Sequence, residues 1–247
     1  MRPITLNAAA DRPRLLLTCE HASPDMPDEY QGLGLTGAYR DEHIAWDIGA
    51  AAVTEELAAQ LGAPAVLSAA SRLLVDCNRD LCDADLMPAT SHGVAIPGNA
   101  CIDGDERARR LARFYQPYHV AIDAALAGCP QALLLSVHSF TPELNGSVRA
   151  FDVGVLFDGF DTLAHALADS IAATGLAVRM NEPYSALVGL IFSARSHGVG
   201  HRVPYLEIEI NNRLLRADAN ARATAIQLAP AIAALLDSRS QAISDQR

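Results

Sequence analysis

QALLLSVHSF, residues 131–140, sets the reading of the whole chain. Its apolar run does not alternate, which suits a strand covered on both faces inside a parallel or mixed sheet. The run delivers His138 directly to the strand end. Similar runs recur at Arg14–Cys19 (RLLLTC), Ala63–Ala69 (APAVLSA), Arg72–Cys77 (RLLVDC), Asp152–Phe157 (DVGVLF), Leu176–Met180 and Val203–Ile210. Helical patterns lie between them, at Glu42–Leu61, Gly104–Leu126, Thr162–Ala173 and Ala217–Leu236. This alternation predicts one α/β domain over residues 1–247, with a mostly parallel or mixed central sheet and helices on both faces. Asp103 and Glu106 have the spacing of a helix N-cap with its acidic partner. Pro117 and Pro230 fall inside helical patterns, and each predicts a kink, a break or a restart. The polar segment Ser238–Arg247 is expected to fray.

Composition narrows the chemistry. The 247 residues carry 19 basic against 29 acidic side chains, a formal charge of −10, which argues against a nucleic-acid or anionic-membrane surface. Every basic residue is Arg. The absence of Lys excludes Schiff-base chemistry and a Walker-type phosphate loop. Five Cys, with no C-x-x-C pair, read as packing thiols in a reducing compartment. Met1–Arg14 lacks the continuous apolar segment of a signal peptide, and no stretch approaches the ~20 apolar residues of a membrane span. A cytoplasmic protein is expected.

Polar side chains gather where the apolar runs end. His21 follows the first run in Cys19-Glu20-His21-Ala22-Ser23, His138 ends the run at 131–137, Asn78-Arg79 follow the run from Arg72, and Glu207 and Glu209 end the last. Ligands bind beyond the carboxyl ends of parallel strands. Two histidines on separate strand ends plus a carboxylate make a three-ligand zinc site with an open position, although His and carboxylate also suit other divalent ions. The carboxylate comes from Asp41-Glu42-His43-Ile44-Ala45-Trp46-Asp47, where a helix would set His43 and Asp47 on one face. Asp47 is taken as the ligand, and His43 as a group that either orients the metal ligands from outside or polarises substrate; Asp41 and His43 stay open as alternatives. Arg72 and Arg79 offer planar forks for an anionic substrate. In Tyr205–Asn211 alternation points Glu207, Glu209 and Asn211 one way, and the paired carboxylates would raise each other's pKa, as suits a general base. No G-x-S-x-G elbow is present, so Ser139 reads as a strand-end hydroxyl.

These segments, together with Ala95-Ile96-Pro97-Gly98-Asn99, Asn181-Glu182-Pro183-Tyr184, His197-Gly198 and Glu209-Ile210-Asn211-Asn212, resemble the N-formylglutamate amidohydrolase family over about residues 15–215. The resemblance implies a phosphorylase/hydrolase-like fold related to aspartoacylases and zinc carboxypeptidases. It also implies a zinc-dependent cleavage of a small anionic N-acyl amino acid. Those relatives use an H-x-x-E metal pair, but here Pro24 stands three residues after His21, which again points to Asp47. Arg72 and Asn78-Arg79 resemble the aspartoacylase substrate-binding residues, and Glu209 resembles the catalytic Glu. Asn181, Tyr184 and His197 are expected to line the acyl or carboxylate pocket, although Asn181 and His197-Gly198 equally suit plain turns. Two rivals stand beside this reading: an amide hydrolase of different specificity, such as a carboxypeptidase-like enzyme, and a non-catalytic homologue that binds an anion.

Overall fold

Six of the seven apolar runs become strands of one sheet. The computed structural model describes residues 1–7, 13–144 and 146–244. Its strands are β1 (Ile4–Leu6), β2 (Leu15–Cys19), β3 (Ala65–Leu67), β4 (Thr90–Ser91), β5 (Val94–Ala95), β6 (Leu133–Phe140), β7 (Glu143–Leu144), β8 (Ser147–Val148), β9 (Val153–Leu156), β10 (Val178–Met180) and β11 (Tyr205–Asn211). The pairs β4–β5 and β7–β8 are separate hairpins. The other seven form a sheet in the order β1-β3-β2-β6-β11-β9-β10. β3, β2, β6 and β11 run parallel, whereas β1 opposes β3, and β9 and β10 oppose β11. The sheet is therefore mixed.

Helices cover both faces. They are α1 (Gly37–Arg40), α2 (Ala50–Leu61), α3 (Gly104–Arg110), α4 (Gln116–Leu126), α5 (Asp161–Ala172), α6 (Phe192–His201) and α7 (Asp218–Ser244). α2, α5 and α7 pack together over one face, on Leu15, Leu17, Leu135, Val137, Ile208 and Ile210. α4 and α6 lie over the other, where Leu16, Leu134 and Tyr205 join a second core with Tyr118 and Ile122. On this second face each central strand starts apolar and ends polar: Leu16 then Thr18, Leu134 then Ser136 and His138, Tyr205 then Glu207 and Glu209. The two-residue period of a strand keeps each series on one side. Register then sets His138 beside Glu209, and Ser136 beside both Glu207 and Thr18.

Four expectations are corrected. Arg72–Cys77 is not a strand but a run of turns; Leu73, Leu74 and Val75 are apolar because they fill the second core. The helix expected from Glu42 begins only at Ala50, since Gly49 sits at φ +81° and His43–Trp46 form turns. α6 and the edge strand β1 are additions. α7 continues past Pro230 through Ser244, so residues 238–244 are helical, and 245–247 lie outside the described residues. The restart expected near Pro117 is present: a wide π turn at Leu111–Tyr115 precedes α4, whose first turn holds the proline. Asp103 caps α3, its Oδ1 accepting from the Glu106 N–H at 2.8 Å. Among the described residues no helix is long and apolar enough to cross a membrane.

Candidate active site

Polar residues from β2, β6, β11 and the turns at 43–47 and 72–79 surround a cavity of about 160 Å³ at the carboxyl ends of the parallel strands. His21, Asp47 and His138 meet in its floor, all three buried, with ligand atoms within 4.8 Å of one another. Asp47 Oδ2 lies 2.9 Å from His138 Nδ1 and 3.4 Å from His21 Nδ1. Around a four-coordinate zinc with bonds of about 2.0–2.1 Å, neighbouring donors stand roughly 3.3 Å apart. The other nitrogen of each imidazole is occupied: His21 Nε2 lies 2.7 Å from Asp76 Oδ1, and His138 Nε2 2.9 Å from Glu20 Oε2. Carboxylate–imidazole pairs of this kind fix the ring and the tautomer of metal-binding histidines.

Asp47 is held in place by Arg72. The guanidinium donates to Asp47 Oδ1 at 3.1 Å, to His21 Nδ1 at 3.3 Å and to the Ile44 carbonyl at 3.0 Å, and also bonds the His43 carbonyl. Arg72 therefore pins the 43–47 turns to the floor, and little of its fork is left for substrate. His43 still faces Asp47, at 3.7 Å, although by turns and not by a helix. Asp41 is exposed, is not among the residues that line the cavity, and its backbone carbonyl accepts from the Trp46 indole. Two buried polar atoms on the cavity wall have no hydrogen-bond partner: His43 Nδ1 and Glu209 Oε2. An unpaired buried polar atom is costly, so two around one set of donors fit a cavity built for a cation and a polar ligand.

Burial pushes the Glu209 carboxyl up to about 8, reinforced by Asp47 and opposed by His138. Glu207 is also pushed up to about 8, first by burial and then by Glu209. The expected mutual repulsion is thus secondary to desolvation. Glu207 lies 3.5 Å from His138 Nε2 and accepts from Asn78 at 3.5 Å. Burial also works against Glu20, but His138 and Ser136 hold its carboxyl far below the usual range, and the Tyr118 hydroxyl donates to it at 2.9 Å. Desolvation alone would lower His21 and His138, yet neighbouring carboxylates raise both. Burial lowers His43 to about 3, which keeps it neutral.

These shifts give the metal-free protein an unusual acid–base profile. Glu207 and Glu209 titrate near 4.5 when unfolded but near 8 when folded, so the folded state holds protons that the unfolded chain releases. The stability this contributes is complete below the lower value and is lost as pH rises through the higher one. His21 and His138, raised above 6.5, act in the same direction. Below about pH 6.5 His43 and His119, lowered to about 3 and about 4, act in the opposite direction, so the melting temperature of chelator-treated protein should fall from about pH 6.5 to about pH 8.5. A flat or rising profile in scanning calorimetry would contradict this assignment.

The remaining expected residues divide. Arg79 lines the cavity with a partly exposed side chain, paired loosely to Asp76 at 3.9 Å and Asp83 at 3.4 Å. Tyr184 also lines it. Asn78 borders it, but its side-chain oxygen accepts from the Ser193 N–H at 2.9 Å and its nitrogen reaches Leu190 O and Glu207. Asn181 is a turn residue instead: its side chain exchanges two 3.0 Å bonds with the Phe157 backbone. His197 does not reach the cavity; it sits between α4 and α6. The Ser139 hydroxyl donates to Ile48 O at 2.9 Å and is no nucleophile. Glu20 and Asp76 were not singled out, though each adjoins a motif that was; the signal was a carboxylate directly following a buried apolar run. His92, in the β4–β5 turn, also lines the cavity.

The family model for N-formylglutamate amidohydrolase matches residues 13–216. A gene product of Agrobacterium tumefaciens, Atu2144, has a similar structure: 33% identity, TM-score 0.89, with 98% of this chain and 96% of that one covered. An N-formylglutamate amidohydrolase from Ralstonia eutropha JMP134 shares the fold at 18% identity and TM-score 0.70, covering 98% and 99% of the two chains. Among curated proteins none matches the chain.

Proposed function

Because the chain belongs to the N-formylglutamate amidohydrolase family, we propose that it hydrolyses the amide of a small, anionic N-acyl amino acid, with N-formyl-L-glutamate giving formate and L-glutamate as the reference reaction. The observation that carries this reading is the meeting of His21, Asp47 and His138 in a cavity also lined by Glu209, whose buried Oε2 has no hydrogen-bond partner. His21, Asp47 and His138 would hold zinc. Bound there, the ion supplies Lewis acidity, polarising an acyl oxygen and lowering the pKa of water.

The chain's own groups supply the rest. Glu209 Oε2 removes a proton from the attacking water and returns it to the leaving amine nitrogen, so one water is consumed and no other reagent is needed. A base whose proton affinity is lifted by burial towards neutrality is suited to both transfers. Arg79, the least engaged guanidinium on the cavity wall, stabilises the oxyanion that develops on the acyl oxygen. Tyr184 and Asn78 border the substrate, Asn78 mainly by fixing Glu207 and the start of α6. The small cavity suits an amino-acid derivative more than a polymer. The chain's five unbridged thiols suit a reducing, cytoplasmic setting.

Formate release from N-formyl-L-glutamate should be lost on chelation and return with Zn²⁺. Removing an oxyanion donor costs about 3–4 kcal/mol, so Arg79→Ala should lower kcat by about two to three decades. A change confined to KM would make Arg79 a uniform binding group. Turnover of acetyl- or peptidyl-glutamate in preference to the formyl compound would shift the specificity. Binding of these compounds without any release would leave only the binding-protein reading.

A further inference from the structure

α4 and α6 pack side by side, and each carries two metal-binding side chains four residues apart: His119 and Asp123 on α4, His197 and His201 on α6. A spacing of four stacks side chains on one helical face, so packing these helices brings the two pairs together. His197 Nδ1 and His201 Nε2 each lie 2.9 Å from the same atom, Asp123 Oδ1. The three ligand atoms fall within 4.8 Å of one another. Behind them His119 Nδ1 stands 2.8 Å from His197 Nε2, with the two rings stacked at 5.0 Å.

We propose that Asp123, His197 and His201 form a second divalent-cation site, of the zinc class, that clamps α4 to α6 outside the catalytic cavity. One ion pair needs one imidazole; here two converge on a single carboxylate oxygen. The set contains two borderline nitrogen donors and one oxygen, and Asp123 is more than half exposed, so water completes the coordination. His119 supplies the outer partner. When His197 Nδ1 turns its lone pair to the ion, its Nε2–H donates to His119 Nδ1, the orientation that metal-binding imidazoles require. The clamp also has a structural consequence for the cavity. Tyr118, next to His119 on α4, donates its hydroxyl to Glu20, which in turn holds His138. Fixing α4 against α6 therefore steadies the base of that chain.

The test uses the full-length protein, stripped with chelator and dialysed against buffered Zn²⁺, with bound metal counted by elemental analysis. Asp123→Asn and His201→Gln should each bind one equivalent fewer than the unmodified chain, or bind it at least about tenfold more weakly. The upward shift of melting temperature with Zn²⁺ should shrink in both variants. The count falls by one whether or not the catalytic cavity holds metal, so failure of the proposed reaction and failure of this site give different results. Both side chains lie near the surface, and either variant alone suffices if the other does not fold. Unchanged stoichiometry and affinity in the folded variants would overturn the proposal.

Discussion

Replacing Glu209 with Gln should cut kcat for N-formyl-L-glutamate by about a thousandfold, within the range that a positioned general base contributes. The substitution keeps the shape of a side chain that is only 5% exposed. It removes a buried carboxylate oxygen on the cavity wall, Oε2, that has no hydrogen-bond partner. Folding should not suffer. Glu209 is buried and held up near 8, so a neutral amide relieves a desolvated acid, and the metal-free melting temperature should be unchanged or higher. Glu207→Gln is the informative comparison. Glu207 is tied to Asn78 and His138, so its loss should alter stability and metal retention more than the chemical step. If the Glu207 variant lost turnover while the Glu209 variant kept it, the roles of the two acids would be exchanged.

A large effect on folding is expected at Gly49→Ala. Gly49 has φ +81°, a region costly to any residue with a side chain, and it ends the turns that carry Asp47. A Cβ there would sit 2.4 Å from Leu215 Cβ and 2.9 Å from the Leu215 carbonyl oxygen. Backbone strain of about 1–2 kcal/mol and overpacking of about 1–3 kcal/mol act together. At about 2–4 °C per kcal/mol for a chain of this size, the melting temperature should drop by roughly 4–20 °C. Asp47 lies two residues away, so metal retention should fall as well. Gly62→Ala is the control: it also has positive φ (+59°), but an added Cβ meets nothing within 4 Å. Calorimetry that found equal losses at both positions would rule out the contact with Leu215 as the cause.

What could be read from the chain follows what its residues do locally. Strands such as β6 and β11 declared themselves because both faces are covered, and the alternation of Tyr205–Asn211 also placed its carboxylates. His21, Asp47 and His138 were found because each stands at or near an element's end. Burial and pairing look alike in sequence, which is why Leu73–Val75 read as a strand although these residues only fill a core between turns. α6 was hidden because Phe192–His201 contains two glycines and little apolar character, and packing against α4 and β11 holds it. Arg72 illustrates a further limit. The sequence showed a guanidinium near the site, but only the fold reveals that its donors are spent on His43, Ile44 and Asp47.

The place of β11 in the sheet affects how the protein must be made. The strand lies between β6 and β9, yet it is the last of the seven to leave the ribosome. Until Tyr205–Asn211 emerges, the nascent chain has two unsatisfied backbone edges, and they can close on each other or on another molecule. Chains interrupted before that point would lack Glu209 and would also be sticky, so premature termination should yield aggregates and no partly active fragment.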